Sequence, residues 1–390
     1  MRLEDVCTVF ADGDWIESKD QSEKGIRLVQ TGNIGEGIYL EKESRAKYIP
    51  EDTFKRLKCT EIFPGDILVS RLPEPVGRAC IIPEKTERMI TAVDCTICRP
   101  DEALISKEYL CYFMRSNAYY MRLLGNVTGT TRKRISRKNL GNVELKVPTK
   151  EEQKTVVERL DCLVKVIDSR TKELQLLDDL IKARFVEMFG DLASNPCGWD
   201  TFTMEECFDI TSSKRILKSE WKSQGIPFLR VRDMVQLATT GQMDNEYFVS
   251  EEFYESLSDS DGVPRKGDIL VSATSTLGKC HVVGEGERYY FKDADVLRFR
   301  AKKEINPIFF MELMKTYYVE DQISKTLGIT TVAHFTIKAA KTINMRCPAI
   351  ELQDEFADFV KQVHKSKVAI QAALDKTQLL FDSLMQKYFG

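Results

Sequence analysis

Few residues in this chain have the type and spacing needed for bond-making chemistry. Its three histidines, His281, His334 and His364, lie far apart and in no metal-ligand spacing. Cys95 and Cys98 form the one Cys-x-x-Cys pair, inside the β-branched run Thr91-Ala92-Val93-Asp94-Cys95-Thr96-Ile97-Cys98, which reads as a strand. Three positions apart on a strand, two side chains point to opposite faces, which suits buried thiols better than one metal ion. There is no Gly-Lys-Ser/Thr phosphate loop, dinucleotide glycine fingerprint or Gly-x-Ser-x-Gly elbow. Neither Asn195-Pro196-Cys197 nor Asn306-Pro307-Ile308 supplies the Asn-Pro-Pro-aromatic motif of amino-methyltransferases. Gly32-Asn33-Ile34-Gly35-Glu36-Gly37 reads as a loop with no phosphate-binding helix after it. The residues predict no metal and no cofactor on this chain: it reads a partner rather than catalysing.

The chemistry that is present is cationic. Arg132-Lys133-Arg134 with Arg137 and Lys138 form the densest basic cluster, with no acid among them. It follows a Gly/Thr/Asn stretch from Gly125 to Thr131, including Thr130, whose N–H and hydroxyl groups suit phosphate contacts. Yet the whole chain carries 57 basic and 60 acidic residues, a net charge of −3. A protein that alone neutralised many phosphates would be clearly basic. Either nucleic acid is not the target, or basic residues are concentrated locally and a partner supplies the rest of the grip.

The elements that position these residues occur twice. Gly65-Asp66-Ile67-Leu68-Val69-Ser70 returns as Gly267-Asp268-Ile269-Leu270-Val271-Ser272, Thr130-Thr131 as Thr330-Thr331, and Phe189-Gly190 as Phe389-Gly390. Each copy is the size of a domain, far longer than a solenoid repeat. In each, short apolar runs between turns read as strands, with a helical piece near Lys107 to Leu124 and its counterpart near Pro307 to Leu327. Each copy then ends in a long stretch free of Gly and Pro, opened by Pro148 or Pro348 and closed by Gly190 or Gly390. Such a helix would span roughly 58 Å.

Apolar positions along both helices follow a 3-4 alternation: Leu160, Leu163, Ile167, Leu174, Leu177 and Ile181 in the first, Val360, Val363, Ile370, Leu374, Phe381 and Leu384 in the second. That period is a coiled-coil seam. Arg170 and Arg184 interrupt the first seam, Lys367 and Thr377 the second. The expected fold is α+β: two pseudo-repeated domains of mixed β-sheet with helices, 1–147 and 200–347, separated by two long antiparallel coiled-coil helices, 148–190 and 348–390, with a linker at 191–199. This pairing puts the domains at opposite ends of a rod and the two termini near the middle of the pseudo-dyad. It also leaves Leu176, Leu180 and Phe185 free for partner helices.

The copies keep their framework but not their polar loops. Against the first basic cluster the second copy has Val332, Ala333, His334, Thr336 and Lys338, and its cations gather earlier, at Lys214, Arg215, Lys218, Lys222, Arg230 and Arg232. Arg, Asn and Gln on loops at a sheet edge are the side chains that read purine edges. The candidates are Gln30, Asn33, Arg71 and Arg78 in the first copy, with Arg230, Arg232, Thr274 and Lys279 in the second. No stretch approaches 18 unbroken apolar residues, the N-terminus lacks an apolar signal segment, and eleven scattered cysteines suit a reducing cytoplasm.

Two such domains, each followed by a long helix, resemble the specificity (S) subunit of type I restriction–modification enzymes. The resemblance rests on Pro148-Thr149-Lys150-Glu151-Glu152-Gln153 and Pro348-Ala349-Ile350-Glu351-Leu352-Gln353, the doubled Gly-Asp-Ile-Leu-Val-Ser, and Asn195-Pro196-Cys197-Gly198-Trp199 leading into the second domain. It implies a subunit without catalytic activity that reads a split site in double-stranded DNA, one half per domain. It further implies docking of two adenine methyltransferase subunits, which hold the S-adenosylmethionine, and in the full enzyme of a restriction subunit. A coiled-coil adaptor carrying two protein-binding domains is the alternative from another class.

Overall fold

The computed structural model describes residues 1–128, 133–258, 262–274, 276–327 and 334–390. The chain divides into two compact units, Met1–Lys172 with Gln371–Gly390, and Glu173–Ile370.

In the first unit a four-stranded antiparallel sheet runs in the order Cys7–Asp12, Cys95–Pro100, Ile67–Ser70, Ala79–Ile81. A second sheet, Tyr48–Ile49, Ile26–Val29, Met89–Thr91, Glu61–Ile62, includes one parallel pairing, of Ile26–Val29 with Met89–Thr91. The strand Ile67–Ser70 is buried on both faces, which is why it reads as an unbroken apolar run. Its alternate residues serve different cores. Ile67 and Val69 face Tyr109, Phe113, Tyr119 and Leu140, whereas Leu68 joins Val29, Ile62 and Met89. Cys98 falls in the first core and Cys95 in the second, on opposite faces of their strand. Burial pushes the Cys95 thiol up to about 12.

The second unit repeats the order as Phe208–Ser212, Val296–Ala301, Ile269–Ser272, Cys280–Val282. Beside it lie Phe248–Val249, Ile226–Leu229 and Tyr290–Phe291, the last two again parallel. The repeated Gly-Asp motif has the same structural purpose twice. Gly65 and Gly267 take positive φ, of 92° and 86°, in the turn before the strand. The Asp66 carboxylate then accepts from Phe63 N–H at 2.9 Å and from Arg99 at 2.7 Å. Asp268 accepts from Arg265 N–H at 2.8 Å and Arg300 at 2.8 Å.

The long helices are Lys150–Phe189 and Ile350–Phe389, each of 40 residues. Thr149 and Glu152 form a reciprocal cap at the first: Thr149 N–H donates to the Glu152 carboxylate at 2.9 Å, and Glu152 N–H to Thr149 Oγ1 at 3.3 Å. The Gln of each Pro-x-x-Glu-x-Gln is buried and ties its helix to the domain. Gln153 Oε1 accepts from Ser106 N–H at 2.8 Å while Nε2 donates to the Leu104 and Pro148 carbonyls, both at 2.9 Å. Gln353 accepts from Asn306 N–H at 3.0 Å and donates to the Pro348 carbonyl at 2.8 Å.

Within each unit the helices run antiparallel. In the first, Arg159 bonds Tyr388 at 3.0 Å and Arg170 bonds the Ala373 carbonyl at 2.6 Å. In the second, Arg184 bonds Glu355 at 2.9 Å and Lys367 bonds Asp178 at 2.5 Å. The polar interruptions of the seam are thus satisfied across it. All the expected seam residues are buried or half-buried: Leu160, Leu163, Ile167, Leu174, Leu177 and Ile181, and Val360, Val363, Ile370, Leu374, Phe381 and Leu384. One expectation needs correcting. Phe185 is not free for a partner, because it packs 4.8 to 5.7 Å from Phe189, Phe356 and Phe309 in the second unit's core. Both termini belong to the first unit, where the Met1 ammonium donates to the Leu145 carbonyl at 2.9 Å and Phe389 packs 5.2 Å from Tyr109. Among the described residues no helix is long and apolar enough to cross a membrane.

Candidate functional site

In the first unit, polar side chains converge where the strands Cys7–Asp12 and Ile67–Ser70 end and Cys95–Pro100 begins. Asp12 pairs with Arg71 at 3.4 Å and with Arg137 at 3.7 Å, and Asp94 pairs with Arg134 at 3.0 Å. The backbone fixes this convergence: Arg71 N–H donates to the Asp94 carbonyl at 2.9 Å, and Ile135 N–H to the Arg71 carbonyl at 3.2 Å. Arg71 is only 4% exposed, and it also donates to the Val93 carbonyl. Burial lowers its pKa, an effect opposed by Asp12. Arg134, Arg137 and Lys133 are exposed around it. Thr130, Thr131 and Arg132 lie outside the described residues.

The candidates of the first unit therefore separate into two kinds. Arg78 donates to the carbonyls of Ile34 at 2.7 Å, Thr31 at 2.9 Å, Leu72 at 3.0 Å and Pro75 at 3.1 Å, which clamps two loops together. Asn33 is 5% exposed; its Oδ1 accepts from Gln30 N–H at 3.0 Å and its Nδ2 donates to the Leu40 carbonyl at 3.0 Å. Asn33 and Arg78 thus make their side-chain hydrogen bonds with backbone groups of the fold, whereas the Nε of buried Arg71 has no partner among the described residues. These bonds of Asn33 and Arg78 hold the loops together. Gln30 is half-buried at the start of the same turn.

In the second unit the framework bond of Ile135 recurs as Phe335 N–H to the Ala273 carbonyl at 2.8 Å, and Ala273 N–H donates to the Asp295 carbonyl at 2.9 Å. Ala273 thus stands where Arg71 does, and His334 where Arg134 does. Among the described residues the arginine–aspartate web is not repeated there: Asp295 pairs instead with Lys292 at 2.8 Å. Lys214 and Arg215 are exposed on the loop after Phe208–Ser212, pinned by Lys214 N–H to Tyr290 Oη at 2.7 Å. Lys279 is exposed and Thr274 and His334 are half-buried. Arg230 folds back onto Asp233 at 2.9 Å and Glu246 at 3.2 Å, over the Tyr247 ring at 4.5 Å. Arg232 remains 69% exposed.

Sequence reasoning missed the carboxylates Asp12 and Asp94 that hold the arginines, and Gln236 in the helix Val231–Thr240. Nothing local marks Asp12 or Asp94, since their partners come from strands far along the chain. Gln236 had a usable signal, the Arg232–Gln236–Thr240 spacing of one helical face. Among the described residues no group of three or more His, Cys, Asp or Glu is placed to hold a metal ion.

Comparison with known proteins fits this doubled arrangement. A putative type I restriction enzyme specificity subunit of Haemophilus influenzae is 27% identical over a stretch covering 45% of this chain and 45% of its own length. The MjaVIII specificity subunit of Methanocaldococcus jannaschii is 22% identical over 65% of this chain and 63% of its own length. The chain thus spans about half to two thirds of these relatives. Among solved structures, the S subunit of a type I restriction–modification system from M. genitalium matches with a TM-score of 0.59 and 16% identity, covering 100% of this chain and 95% of that one. A chain from a structural study of complex assembly and conformational transition in the type I R-M system matches with a TM-score of 0.60 and 18% identity, covering 100% and 96%. The profile described as type I restriction modification DNA specificity domain matches residues 1–178 and again 196–378, and the chain belongs to that family.

Proposed function

We propose that this chain is the DNA-recognition subunit of a type I restriction–modification complex and reads a bipartite double-stranded target, one half-site per domain. It is non-catalytic in this reading, works in the cytoplasm, and docks two methyltransferase subunits, which carry the S-adenosylmethionine. In the full enzyme it also meets a restriction subunit. One observation carries the reading: the same framework occurs twice, while the polar edge it supports changes from an arginine–aspartate web to one where Ala273 and His334 replace Arg71 and Arg134 and the exposed cations are Lys214, Arg215 and Lys279. A protein-binding adaptor has no need for one scaffold with two different polar edges, whereas a split target with unlike halves does.

Docking through the helices is supported by their exposed apolar side chains. Leu176, Leu180 and Val186 are 56%, 46% and 58% exposed in the second unit, and Leu379 and Leu380 are exposed in the first. The eleven thiols are all unpaired, as a reducing compartment requires.

The test is methylome sequencing of a host expressing the chain with its cognate methyltransferase, against a host lacking only the chain. The expected result is a split motif with adenine methylation that disappears with the chain, and a swap of residues 1–147 that alters one half alone. Active methyltransferase without chain-dependent methylation would overturn the reading in favour of the adaptor.

A further inference from the structure

Between matched points the two units have connections of equal length and unlike conformation. Both start at a capped turn, with Gln30 N–H donating to Asn33 Oδ1 at 3.0 Å in one unit and Arg230 N–H to Asp233 Oδ2 at 3.0 Å in the other. Both end at a paired strand, Tyr48–Ile49 or Phe248–Val249. Between these, residues 34–47 contain Gly35 and Gly37 and form an irregular loop, whereas residues 234–247 continue the helix Val231–Thr240 until Gly241, at φ 69°, stops it. Met234 and Leu237 bury one side of this helix against Leu229, Leu270, Tyr289 and Phe291. The opposite side carries Arg232, Gln236 and Thr240, one turn apart from each other.

From this we infer that the Val231–Thr240 helix reads bases of the second half-site, with Arg232 and Gln236 as its specificity-determining residues. The inference rests on the DNA-recognition reading above and names the element that performs it in this unit. Arg232 and Gln236 line an open cleft of about 750 Å³ with Met243, Asp244, Asn245 and Glu246. Its composition is that of a base-reading surface rather than a phosphate grip: one exposed cation stands beside two amides and two carboxylates. Arg pairs with guanine O6 and N7, Gln with adenine N6 and N7, and carboxylates accept from cytosine N4. A rise of about 6 Å between Arg232 and Gln236 spans about two base pairs, and a helix fits the major groove. The side chains are held only loosely without DNA. Gln236 Nε2 donates to Asp244 at 3.3 Å, and Arg232 stands 3.7 Å from Asp233 and 3.8 Å from Glu246. At those lengths the contacts of the exposed Arg232 guanidinium are weak and can be exchanged for base contacts.

The test uses the full chain with its methyltransferase, comparing wild type, Gln236→Ala and Arg232→Ala by methylome sequencing. Both positions are outside the core, and equal thermal midpoints and equal methyltransferase co-purification confirm intact assembly. Each variant should relax one or two positions of the second half, with the first half unchanged. On a duplex carrying the wild-type motif, Gln236→Ala should weaken binding roughly 10-fold or more without altering the slope of log affinity against log salt. An unchanged motif in both variants would sink the inference. So would a changed salt slope with the motif intact, which would mark a phosphate contact, or a loss confined to methyltransferase binding, which would mark a protein surface. Failure of the wild type to yield any split motif would instead refute the DNA reading itself.

Discussion

Replacing Gln153 with Ala should loosen the first unit far more than an ordinary polar substitution on a helix would. The side chain is fully buried and makes three bonds, to Ser106 N–H and to the carbonyls of Leu104 and Pro148. At a net contribution of about 1 kcal/mol per bond, the loss is about 3 kcal/mol, and groups left buried without a partner push it upward. For a unit of this size that corresponds to a fall of about 6–12 °C in thermal midpoint. Gln353→Ala removes two such bonds and should cost the second unit about 2 kcal/mol. Urea denaturation gives the magnitude, and hydrogen exchange assigns it: amides of Lys107–Phe113 should lose protection in the first variant, those of Pro307–Leu313 in the second. Gln153→Glu sharpens the test. An ionised carboxylate cannot donate to the two carbonyls, so folding favours its protonated form and raises its pKa above the unfolded value near 4.3. The protonated form still satisfies only one of the two carbonyls, so the penalty should be smallest, about one hydrogen bond, below about pH 4 and grow as pH rises. A loss under about 1 kcal/mol for Gln153→Ala, or equal loss in both units, would refute the assignment of this glutamine as the tie between helix and domain.

Three further outcomes follow from the same geometry. Phe185→Ala should destabilise the second unit by about 3–5 kcal/mol in urea, whereas Leu176→Ala, at an exposed position of the same helix, should stay within about 0.5 kcal/mol. Alkylation of the native protein should modify the exposed Cys162 and Cys197 and spare Cys95 and Cys98, even at pH 9. Because the folded Cys95 thiol keeps its proton to about 12, stability should decline as pH climbs above the unfolded value near 8.5; labelling of Cys95 at the rate of Cys162 would contradict this. If the basic edge of the first unit grips phosphate, Arg134→Ala should reduce the slope of log affinity against log salt by about 1, with His334→Ala leaving it unchanged in filter binding.

The parts of this fold legible in the sequence were those with strong local or periodic signals. The doubled Gly-Asp-Ile-Leu-Val-Ser revealed the repeat, the 3-4 alternation revealed the helical seam, and the Cys-x-x-Cys spacing placed its thiols on opposite faces. What stayed hidden depends on partners distant in sequence. Asn33 and Arg78 have side-chain types that suit base reading, but their hydrogen bonds in the fold go to backbone groups of neighbouring loops. Arg230 has the same ambiguity, and its nearby Asp233 settles it. Phe185 reads as a spare apolar position until Phe309 and Phe356 are brought beside it from later in the chain.

The way each variable segment is anchored explains how one framework can carry two unlike surfaces. Residues 34–47 and 234–247 are held at one end by an Asn33 or Asp233 cap and at the other by pairing of Tyr48–Ile49 or Phe248–Val249. Their equal length gives them the same closure entropy to first order. Conformation is then decided locally, by glycines in one segment and by the apolar face of Met234 and Leu237 in the other. Neither solution disturbs the central strands, whose apolar residues face cores on both sides and tolerate little change. The outward face of the segment is therefore free to vary at little cost in stability. Specificity can diverge there while the arrangement of strands, caps and long helices, and with it any docking geometry, stays the same in both units.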